Sequence, residues 1–435
     1  MNIAVVGTGY VGLVTGSCFS EFGNHVVCVD NDAGKIEKLL RNEMPIYEPG
    51  LDALVERNVK AGRLAFTTDL RGAVENALVV FIAVGTPQGN DGRADLSFVR
   101  EVAREVAENL NAYKVVVTKS TVPAGTGTTV RAIIEKHRKA PHAFSVASNP
   151  EFLREGSAIE DFLRPNRVVI GCEDETAAAI MKDLYRPLYL IETPVVITNV
   201  VTAEVIKYAA NAFLATKISF INEIADLCEK VGADVHDVAR GMGLDQRIGR
   251  KFLHPGPGYG GSCFPKDTRA ILELGRDHDV PLKIVAAVIE VNSGRIATSL
   301  DKIVKALGGS PKGKTVALLG LTFKPNTDDL RESPAMAILD GMVEAGAKVR
   351  AYDPIAMPIA SQSPREGVRY CGDEYEAASG ADALVVATEW NQFRALDADR
   401  LRSVMKAPVI VDLRNVYEPE TMRAKGFAYS CVGRS

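Results

Sequence analysis

Near its start the chain reads Ile3-Ala4-Val5-Val6-Gly7-Thr8-Gly9-Tyr10-Val11-Gly12, an apolar run that ends in a glycine-rich turn. A helix-compatible segment follows, and then a second apolar run that ends in Asp30. In such a turn the first glycine allows the tight bend, the second lets a pyrophosphate approach the backbone, and the third lets helix and strand pack closely. We therefore predict a dinucleotide site at the N-terminus of a helix, with these contacts: Gly7, Gly9, Tyr10, Val11 and Gly12.

The acid at the end of the second strand predicts which dinucleotide binds. Asp30 can accept hydrogen bonds from the ribose hydroxyls of the adenosine, and its charge repels a 2′-phosphate. No arginine adjoins it, so the sequence favours NAD over NADP. Lys35 can reach the same end of the cofactor or stand as a solvated helix charge.

Further apolar runs alternate with helical segments in the first part of the chain. Residues 78–84 end in Gly85-Thr86-Pro87, and residues 114–118 end in Lys119-Ser120-Thr121. Continuous apolar strands separated by helices indicate a parallel sheet that is covered on both faces. The same alternation of apolar runs and helical segments is found near the C-terminus, with apolar runs at residues 316–319, 347–353, 383–388 and 408–412.

This internal repeat predicts an α/β protein with two Rossmann-like, doubly wound domains joined by a helical domain. The expected bounds are 1–199 for the NAD-binding domain, 200–308 for the helical domain and 309–435 for the C-terminal domain. Residues 203–231 lack proline and glycine and keep a helical spacing of apolar residues, which predicts one long central helix. A helix of that length suits a connector between domains and a dimer interface.

The second Rossmann-like domain lacks the three-glycine turn. It offers Gly320 and then Lys324, so it can hold a phosphate-bearing ligand at the carboxyl ends of its strands, but not with the glycine loop of a dinucleotide site.

A cysteine stands in an unusual loop of the helical domain. Cys263 follows a run rich in glycine and proline, residues 256–261, and precedes Lys266 and Asp267. Glycine permits close approach of the backbone to a ligand, and a nearby ammonium favours the nucleophilic thiolate. We interpret Cys263 as a nucleophile; the alternative is a small buried hydrophobe, which fits the other cysteines.

Two polar patterns leave their role open. Glu151 and Glu155 would share a face if their segment were helical, where they could act as acid and base or simply be an exposed helix start. Glu204, Lys207 and Asn211 form one stripe on the long helix, which is either functional or solvated.

Composition excludes several classes of protein. The 435 residues exceed one ordinary core, and the net charge of −4 gives no basic surface for nucleic acid. Apolar runs stop short of the roughly 20 residues that a membrane span needs, so we expect no membrane insertion. Seven scattered cysteines without a CxxC pair and six histidines without HxxxH spacing argue against a disulfide scaffold and against a metal. We expect no signal peptide and a cytoplasmic location.

A set of motifs, taken in order, resembles the UDP-glucose/GDP-mannose dehydrogenase family, and within it the UDP-glucose 6-dehydrogenases. The resemblance covers essentially the whole chain. The motifs are the glycine turn, Gly85-Thr86-Pro87, Ser120-Thr121-Val122-Pro123, Asn149-Pro150-Glu151-Phe152-Leu153, residues 211–219 and Gly258-Tyr259-Gly260-Gly261-Ser262-Cys263-Phe264-Pro265-Lys266-Asp267.

The resemblance implies a four-electron oxidation that yields UDP-glucuronate: UDP-glucose is oxidised with two NAD⁺ and water. Cys263 would add to an aldehyde, and the thiohemiacetal would become a thioester that water hydrolyses. It also implies a homodimer in which Arg247 reaches the neighbouring sugar nucleotide.

Each role is carried over on matched positions. The matched catalytic residues are Cys263, Lys207, Asn211, Asp267, Glu151 and Thr121. The matched cofactor contacts beyond the turn are Asp30, Lys35, Gly85, Thr86, Pro87, Thr121, Glu155, Lys266 and Arg331. The matched substrate contacts are Glu151, Phe152, Leu153, Arg154, Glu155, Lys207, Asn211, Arg247, Phe252, Leu253, His254, Pro255, Gly256, Gly260, Lys324 and Arg414.

Three alternatives stay open at this point. The substrate could be GDP-mannose or another nucleotide sugar. A two-electron hydroxyacid dehydrogenase shares the glycine turn and a helical domain, but it leaves Cys263 and the second α/β unit unexplained. A non-catalytic, NAD-responsive binding protein would not need Cys263, Lys207 and Asp267 together.

Overall fold

The structure is a computed structural model, and it describes residues 1–89 and 91–434. Its strands are β1 Asn2–Val6, β2 His25–Val29, β3 Leu64–Thr67, β4 Val79–Ile82, β5 Lys114–Thr118, β6 Phe144–Ser148, β7 Val168–Cys172, β8 Val195–Thr198, β9 Thr315–Leu319, β10 Lys348–Tyr352, β11 Val368–Tyr370, β12 Ala383–Val386, β13 Val409–Asp412 and β14 Ala428–Cys431.

The α-helices alternate with these strands at both ends of the chain. They are α1 Tyr10–Glu21, α2 Ala33–Leu40, α3 Leu51–Lys60, α4 Leu70–Asn76, α5 Ser97–Glu108, α6 Thr126–His137, α7 Ala158–Leu163, α8 Glu175–Leu184, α9 Val200–Val231, α10 Val235–Gly243, α11 Phe264–Asp277, α12 Lys283–Ala306, α13 Pro334–Glu344, α14 Met357–Ala360, α15 Glu374–Ala378, α16 Asn391–Arg394, α17 Ala398–Val404 and α18 Pro419–Ala424. A 3₁₀ helix spans Arg186–Ile191.

The described residues divide into two compact units. The first comprises residues 1–210 with 273–278, and the second comprises 211–272 with 279–435. The three-domain bounds expected from the sequence stay a prediction. No helix of the described residues is both long enough and apolar enough to span a bilayer.

The first unit contains an eight-stranded sheet in the order β3-β2-β1-β4-β5-β6-β7-β8. Its first six strands are parallel and follow the order of a dinucleotide-binding Rossmann fold. The predicted parallel arrangement is confirmed for the strands on which it was based, whereas β7, which the sequence did not predict, pairs antiparallel with β6. The short helix α7 returns the chain to the sheet between them, so β7 enters from the opposite direction.

Both faces of this sheet are covered, as the continuous apolar strands predict. Alternate residues of β1 enter different cores: Ile3 and Val5 pack in one, and Ala4 and Val6 in the other. A strand that is buried on both sides has no polar face, and this is why its sequence shows no alternation.

The second unit repeats the architecture. Its six strands are parallel in the order β11-β10-β9-β12-β13-β14, which is the same topology as β3 to β6 of the first sheet. Val316 and Leu318 of β9 face one core, and Ala317 and Leu319 face the other. The internal repeat and the Rossmann-like fold of both ends are therefore confirmed.

The region between the sheets is mainly helical. The predicted long helix is present as α9, whose 32 residues extend about 48 Å at 1.5 Å per residue. The loop around Cys263 lies between α10 and α11 and is the longest non-helical stretch of this region.

Candidate active site

The glycine turn has the backbone that a pyrophosphate needs. Gly7 has a φ of +106°, and a Cβ on Gly12 would lie 1.9 Å from the carbonyl oxygen of Gly7. By contrast, a Cβ on Gly9 would meet no atom within 4 Å. No side chain caps the N-terminus of α1, so its first N–H groups face this open space. The residues present therefore fit a dinucleotide pyrophosphate.

Asp30 is built into the same turn. Its Oδ2 accepts from the backbone N–H of Thr8 at 2.8 Å and from the Thr8 hydroxyl at 2.7 Å, and its Oδ1 accepts from Asp32 N–H at 3.0 Å. Lys35 Nζ lies 3.7 Å from Oδ2. Burial by itself raises the pKa of Asp30, but these donors and Lys35 outweigh it and hold the pKa below its usual range. Asp30 is thus an anion at the end of β2.

A buried glutamate that sequence reasoning missed ties the turn to the segment after β6. Glu48 accepts from Gly156 N–H at 2.6 Å and Ala158 N–H at 2.7 Å, and the Tyr10 hydroxyl donates to it. Glu48 is only 6% exposed. Its position between two helices in a polar stretch gave no signal, since its partners are distant in sequence.

The ends of β4 and β5 meet beside this turn. The hydroxyl of Thr86 donates to the carbonyl of Thr121 at 2.9 Å, and Ser120 donates to the carbonyl of Val84 at 2.6 Å. A Cβ on Gly85 would meet nothing within 4 Å. Pro87 is exposed next to it. The predicted cofactor contacts Gly85, Thr86 and Thr121 therefore lie at one edge of the sheet.

Glu151 and Lys207 form a buried ion pair in the first unit. Lys207 Nζ lies 2.8 Å from Oε1 of Glu151, and Oε2 accepts from Leu153 N–H at 2.5 Å. Burial alone raises the pKa of Glu151, yet Lys207 with the N–H of Leu153 and the more distant Lys119 hold it below the usual range. The pair combines a carboxylate base with a cation that can stabilise an oxyanion.

Phe152 carries cations on its ring. Lys207 Nζ lies 5.4 Å from the ring centroid, and the guanidinium of Arg167 stacks at 3.4 Å. Arg167 is an addition to the predicted site, and burial lowers its pKa. The sequence signal was weak, because Arg167 stands directly before β7 without a motif.

The possible helical pairing of Glu151 and Glu155 is wrong. Residues 151–157 form a loop, so the two carboxylates do not share a helix face. Glu151 is buried and Glu155 is half-buried. Arg154 is exposed, and its guanidinium binds Asp161 at 2.7 Å.

The stripe on α9 is buried rather than solvated. Glu204, Lys207 and Asn211 are 2%, 3% and 5% exposed. Glu204 accepts from the N–H groups of Gly125 and Gly127, each at 2.7 Å, at the N-terminus of α6. Burial raises the pKa of Glu204 to about 7, although these N–H groups oppose the shift.

In the second unit, Asp267 is the centre of a polar cluster. It is fully buried, accepts from Asn211 Nδ2 at 2.6 Å and pairs with Lys266 Nζ. Cys263 is half-buried and directly precedes the first residue of α11. The helix N-terminus favours a thiolate at this position, while the ammonium of Lys266 is engaged by Asp267.

The predicted substrate loop is held from within the second unit. Phe252 has a φ of +66°, and Asn222 Oδ1 accepts from Gly256 N–H at 2.8 Å. Leu253, Pro255 and Gly256 are buried, while His254 is exposed. A Cβ on Gly260 would lie 2.1 Å from the carbonyl of Glu332, so packing alone requires glycine there.

The other predicted cationic side chains each have a different set of contacts. Arg414 Nε donates to the carbonyl of Ala387 and Nη2 donates to that of Phe323, both at 3.0 Å, and Nε lies 3.2 Å from Glu389. Arg331 pairs with Asp329 at 2.8 Å. Arg247 binds Asp245 at 2.6 Å, and its side chain is 89% exposed. Lys324 Nζ lies 5.2 Å from the ring centroid of Phe323.

Family models cover nearly the whole chain. Residues 1–189 match the NAD binding domain of the UDP-glucose/GDP-mannose dehydrogenase family. Residues 201–294 match its central domain, and residues 317–419 match its UDP binding domain.

Individual relatives are similar over their full length. The chain is 57% identical to a UDP-glucose 6-dehydrogenase of Rhizobium meliloti, with 100% of both chains covered. It is 51% identical to the UDP-glucose 6-dehydrogenase TuaD of Bacillus subtilis, over 100% of this chain and 93% of that one. A UDP-glucose dehydrogenase structure from Pyrobaculum islandicum superimposes with a TM-score of 0.92 at 39% identity, over 100% of this chain and 98% of that chain.

Proposed function

Since this chain belongs to the UDP-glucose/GDP-mannose dehydrogenase family and carries its NAD-binding domain, we propose that it oxidises UDP-glucose to UDP-glucuronate through a thioester on Cys263. The observation that carries the proposal is the position of Cys263 directly before α11, in the same unit as the buried Asp267. A two-electron dehydrogenase needs no nucleophile, whereas a four-electron oxidation needs a way to hold and activate the aldehyde.

NAD⁺ fits the turn of the first unit, where Gly7, Gly9 and Gly12 leave room for the pyrophosphate and Asp30 stands at the end of β2. When bound, it supplies the hydride acceptor for both oxidations. The carboxylate of Asp30 accepts ribose hydroxyls and disfavours a 2′-phosphate. Thr86 and Thr121, joined by a hydrogen bond, border the same edge.

Cys263 acts as the nucleophile. The N–H groups at the start of α11 stabilise its thiolate, which adds to the aldehyde carbon to give a thiohemiacetal. Loss of a hydride from that carbon leaves a thioester, and attack by water releases the carboxylate and regenerates the thiol.

The other matched polar groups stabilise charge and transfer protons. Lys207 and Asn211 stand one turn apart on α9, and a cation and an amide N–H stabilise an alkoxide or tetrahedral oxyanion. Asp267 and Thr121 hold the water that hydrolyses the thioester. Glu151, kept as a carboxylate by Lys207, is the general base for that water.

The sugar nucleotide is held by the C-terminal domain and the loop of residues 252–256, with Gly260 and Lys324. Arg414, fixed by two carbonyl groups at 3.0 Å, is a preorganised guanidinium for a UDP contact. UDP-glucose is favoured over GDP-mannose, because the relatives that match over the full length with 57% and 51% identity are UDP-glucose 6-dehydrogenases.

The chain acts as a homodimer. Three large apolar side chains of α9 recur every seven residues and are exposed: Phe213, Phe220 and Leu227. A stripe at heptad spacing on a long helix suits packing against a second copy. Arg247, which is mostly exposed, then serves the partner's site. A cytoplasmic location stays a prediction.

Counting NADH per sugar tests the proposal. With UDP-glucose limiting and NAD⁺ in excess, we expect two NADH per sugar and UDP-glucuronate as the product. One NADH per sugar would contradict the four-electron reaction. Turnover of GDP-mannose or another nucleotide sugar in preference to UDP-glucose would contradict the substrate assignment, and no turnover of any would favour a binding protein.

A further inference from the structure

A lysine without a role in the proposed chemistry lies buried beside it. Lys119 directly follows β5 and is 3% exposed. Its Nζ donates to Asn149 Oδ1 at 3.0 Å and to the hydroxyl of Tyr185 at 3.3 Å. The ammonium also lies 5.7 Å from the ring centroid of Phe162 and 6.0 Å from that of Tyr185.

This lysine is costly to keep in the core. Transfer of an ammonium from water to an apolar site is unfavourable unless hydrogen bonds and charges compensate. An uncharged side chain of similar length would fill the same space without that cost, since apolar replacements of buried ionic groups are often neutral or stabilising. A buried ammonium that acts electrostatically on a proposed catalytic carboxylate therefore indicates a functional constraint.

The lysine joins two strand ends that both lead to proposed catalytic residues. Strands β5 and β6 are parallel neighbours, with Thr118 opposite Ser148. Lys119 directly follows β5, and Asn149 directly follows β6. Two residues after each of them in the sequence come Thr121 and Glu151.

Hydrogen bonds hold both the side chain and the backbone of Asn149. Its Oδ1 accepts from Lys119 and from the Tyr185 hydroxyl at 2.5 Å, its Nδ2 donates to the carbonyl of Val169 at 2.8 Å, and its N–H donates to Thr118 at 3.0 Å. The network therefore connects β5, β6, β7 and the segment after α8.

We propose that Lys119 is a positioning residue that, through Asn149 and Tyr185, fixes the strand ends from which Thr121 and Glu151 project. The inference rests on the proposed roles of Thr121 and Glu151. Its charge adds a further cation, besides Lys207 and Arg167, in the surroundings of Glu151. The titratable groups that influence Lys119 are Glu151, Lys207 and Cys18, and burial lowers its own pKa to about 7.

The same strand supplies a matched control. Lys114, the first residue of β5, is also buried at 1% exposure, and its Nζ donates to the carbonyl of Ala77 at 2.8 Å. It lies at the opposite end of β5 from Thr121. Lys114→Met and Lys119→Met therefore remove a buried ammonium from the two ends of β5, but only Lys119 acts electrostatically on Glu151.

The experiment compares Lys119→Met, Tyr185→Phe and Lys114→Met in the full chain with UDP-glucose and NAD⁺. Rapid-quench NADH release and intact mass separate thioester formation from its hydrolysis. For Lys119→Met we expect hydrolysis to slow about tenfold to a hundredfold, because a small misplacement of a reacting group has an effect of this order. The covalent adduct should accumulate, and KM for UDP-glucose should fall together with kcat, so that kcat/KM changes less than about twofold.

The pH profile distinguishes positioning from mere stabilisation. Without the charge of Lys119, and with Lys207 and Arg167 still present, the acidic limb of kcat for Lys119→Met should move to higher pH, because the carboxylate of Glu151 becomes easier to protonate. Tyr185→Phe keeps the ring and the ammonium but removes one donor to Asn149, so it should slow hydrolysis in the same direction by a smaller factor. Lys114→Met should leave the hydrolysis rate and the pH profile unchanged, whatever its effect on the melting temperature.

Two results would overturn the inference. The first is a Lys119→Met variant whose hydrolysis rate and pH profile equal those of Lys114→Met. If Lys119→Met does not fold, the second applies: a Tyr185→Phe variant that hydrolyses the thioester at the wild-type rate. Glu151→Gln in the same assay separates the two proposals: a normal hydrolysis rate there would reject the role of Glu151 itself, whereas a stalled Glu151→Gln beside a normal Lys119→Met rejects only the role of Lys119.

Discussion

Lys207 and Glu151 form an ion pair of 2.8 Å whose two side chains are each only 4% exposed. A pair so buried is held by mutual attraction, since either charge alone would be strongly destabilised. The carboxylate is thereby kept in its basic form and the ammonium in place.

Replacing Glu151 by glutamine should separate formation of the thioester from its hydrolysis. Glu151→Gln keeps the shape but removes the base, so we expect kcat to fall about 10²- to 10⁴-fold while the covalent intermediate accumulates. The measurement is NADH release together with the intact mass of the quenched protein. Glu160→Gln is the control, because Glu160 is an exposed carboxylate that pairs with Arg164 at 3.0 Å on the surface of the first unit. Equal kcat values for the two variants would contradict the assigned role.

Asp30 should set the preference for NAD. Asp30→Ala removes the acceptor for the ribose hydroxyls and the charge that repels a 2′-phosphate. We therefore expect KM for NAD⁺ to rise and the difference in kcat/KM between NAD⁺ and NADP⁺ to become smaller. The ratio of kcat/KM for the two cofactors measures this. Thr8→Val is the matched control, since it removes the hydroxyl that donates to Asp30 at 2.7 Å but leaves the carboxylate. A native protein that used both cofactors equally well would refute this interpretation of Asp30.

Glu204 should make the first unit less stable as the pH rises. Its pKa is raised to about 7 in the fold, against about 4.3 in an unfolded chain. Between these values the folded state holds a proton that the unfolded state has lost, so this contribution is complete below pH 4 and is lost progressively as the pH rises from about 4 through 7. The loss is at most about 4 kcal/mol, since each pKa unit corresponds to about 1.4 kcal/mol.

Melting temperatures between pH 5 and 8 measure this effect. Glu204→Gln cannot titrate, so its melting temperature should depend less on pH than that of the wild type. The prediction fails if the melting temperatures of both proteins depend equally on pH, or if the wild type becomes more stable as the pH rises. Either result would mean that the N–H groups of Gly125 and Gly127 lower the pKa of Glu204 more than burial raises it.

The fold could be predicted because its signals are local. The strands β1, β2, β4 and β5 are continuous apolar runs, and alternation with helices is enough to specify a parallel sheet. The strands β7 and β8 also carry short apolar runs, Val168-Val169-Ile170 and Val195-Val196-Ile197. Such a run does not show the direction in which a strand pairs, so the antiparallel pairing of β7 with β6 could not be predicted from it.

The site residues likewise fall into those that contiguous motifs predict and those that the sequence does not reveal. The glycine turn and the loop of Cys263 are contiguous motifs, and each has a physical meaning that can be understood one residue at a time. Glu48, Arg167 and Lys119 act through partners that are distant in sequence, and a single sequence does not show which charges will be buried together.

A shared active site should be visible in mixed dimers. If Arg247 serves the neighbouring site, inactive Arg247→Ala and Cys263→Ala chains should regain partial activity when mixed, because one hybrid site then has both intact residues. UDP-glucuronate formation after confirmed subunit exchange measures this. Asp237→Ala, which frees Arg240 on the exposed surface of α10, is a suitable control for loss of a surface ion pair of 2.8 Å. Exchange without recovery of activity would argue against a shared site.

The sharpest prediction concerns Cys263. A free thiol has a pKa of about 8.5, so only a few per cent is thiolate at pH 7, and the N-terminus of α11 should increase that fraction. Cys263→Ala should abolish UDP-glucuronate formation and leave at most a trace of the first oxidation, since hydride loss from the alcohol needs a base but no nucleophile. Cys263→Ser offers an alkoxide that forms less readily and leaves less easily, so a covalent oxygen ester should accumulate or the second oxidation should stall. Each variant is incubated with NAD⁺ and either UDP-glucose or its 6-aldehyde, and NADH and intact mass are followed. UDP-glucuronate formation by Cys263→Ala at a near-normal rate would exclude the thioester, and a hydrated aldehyde activated by Asp267 would have to take its place.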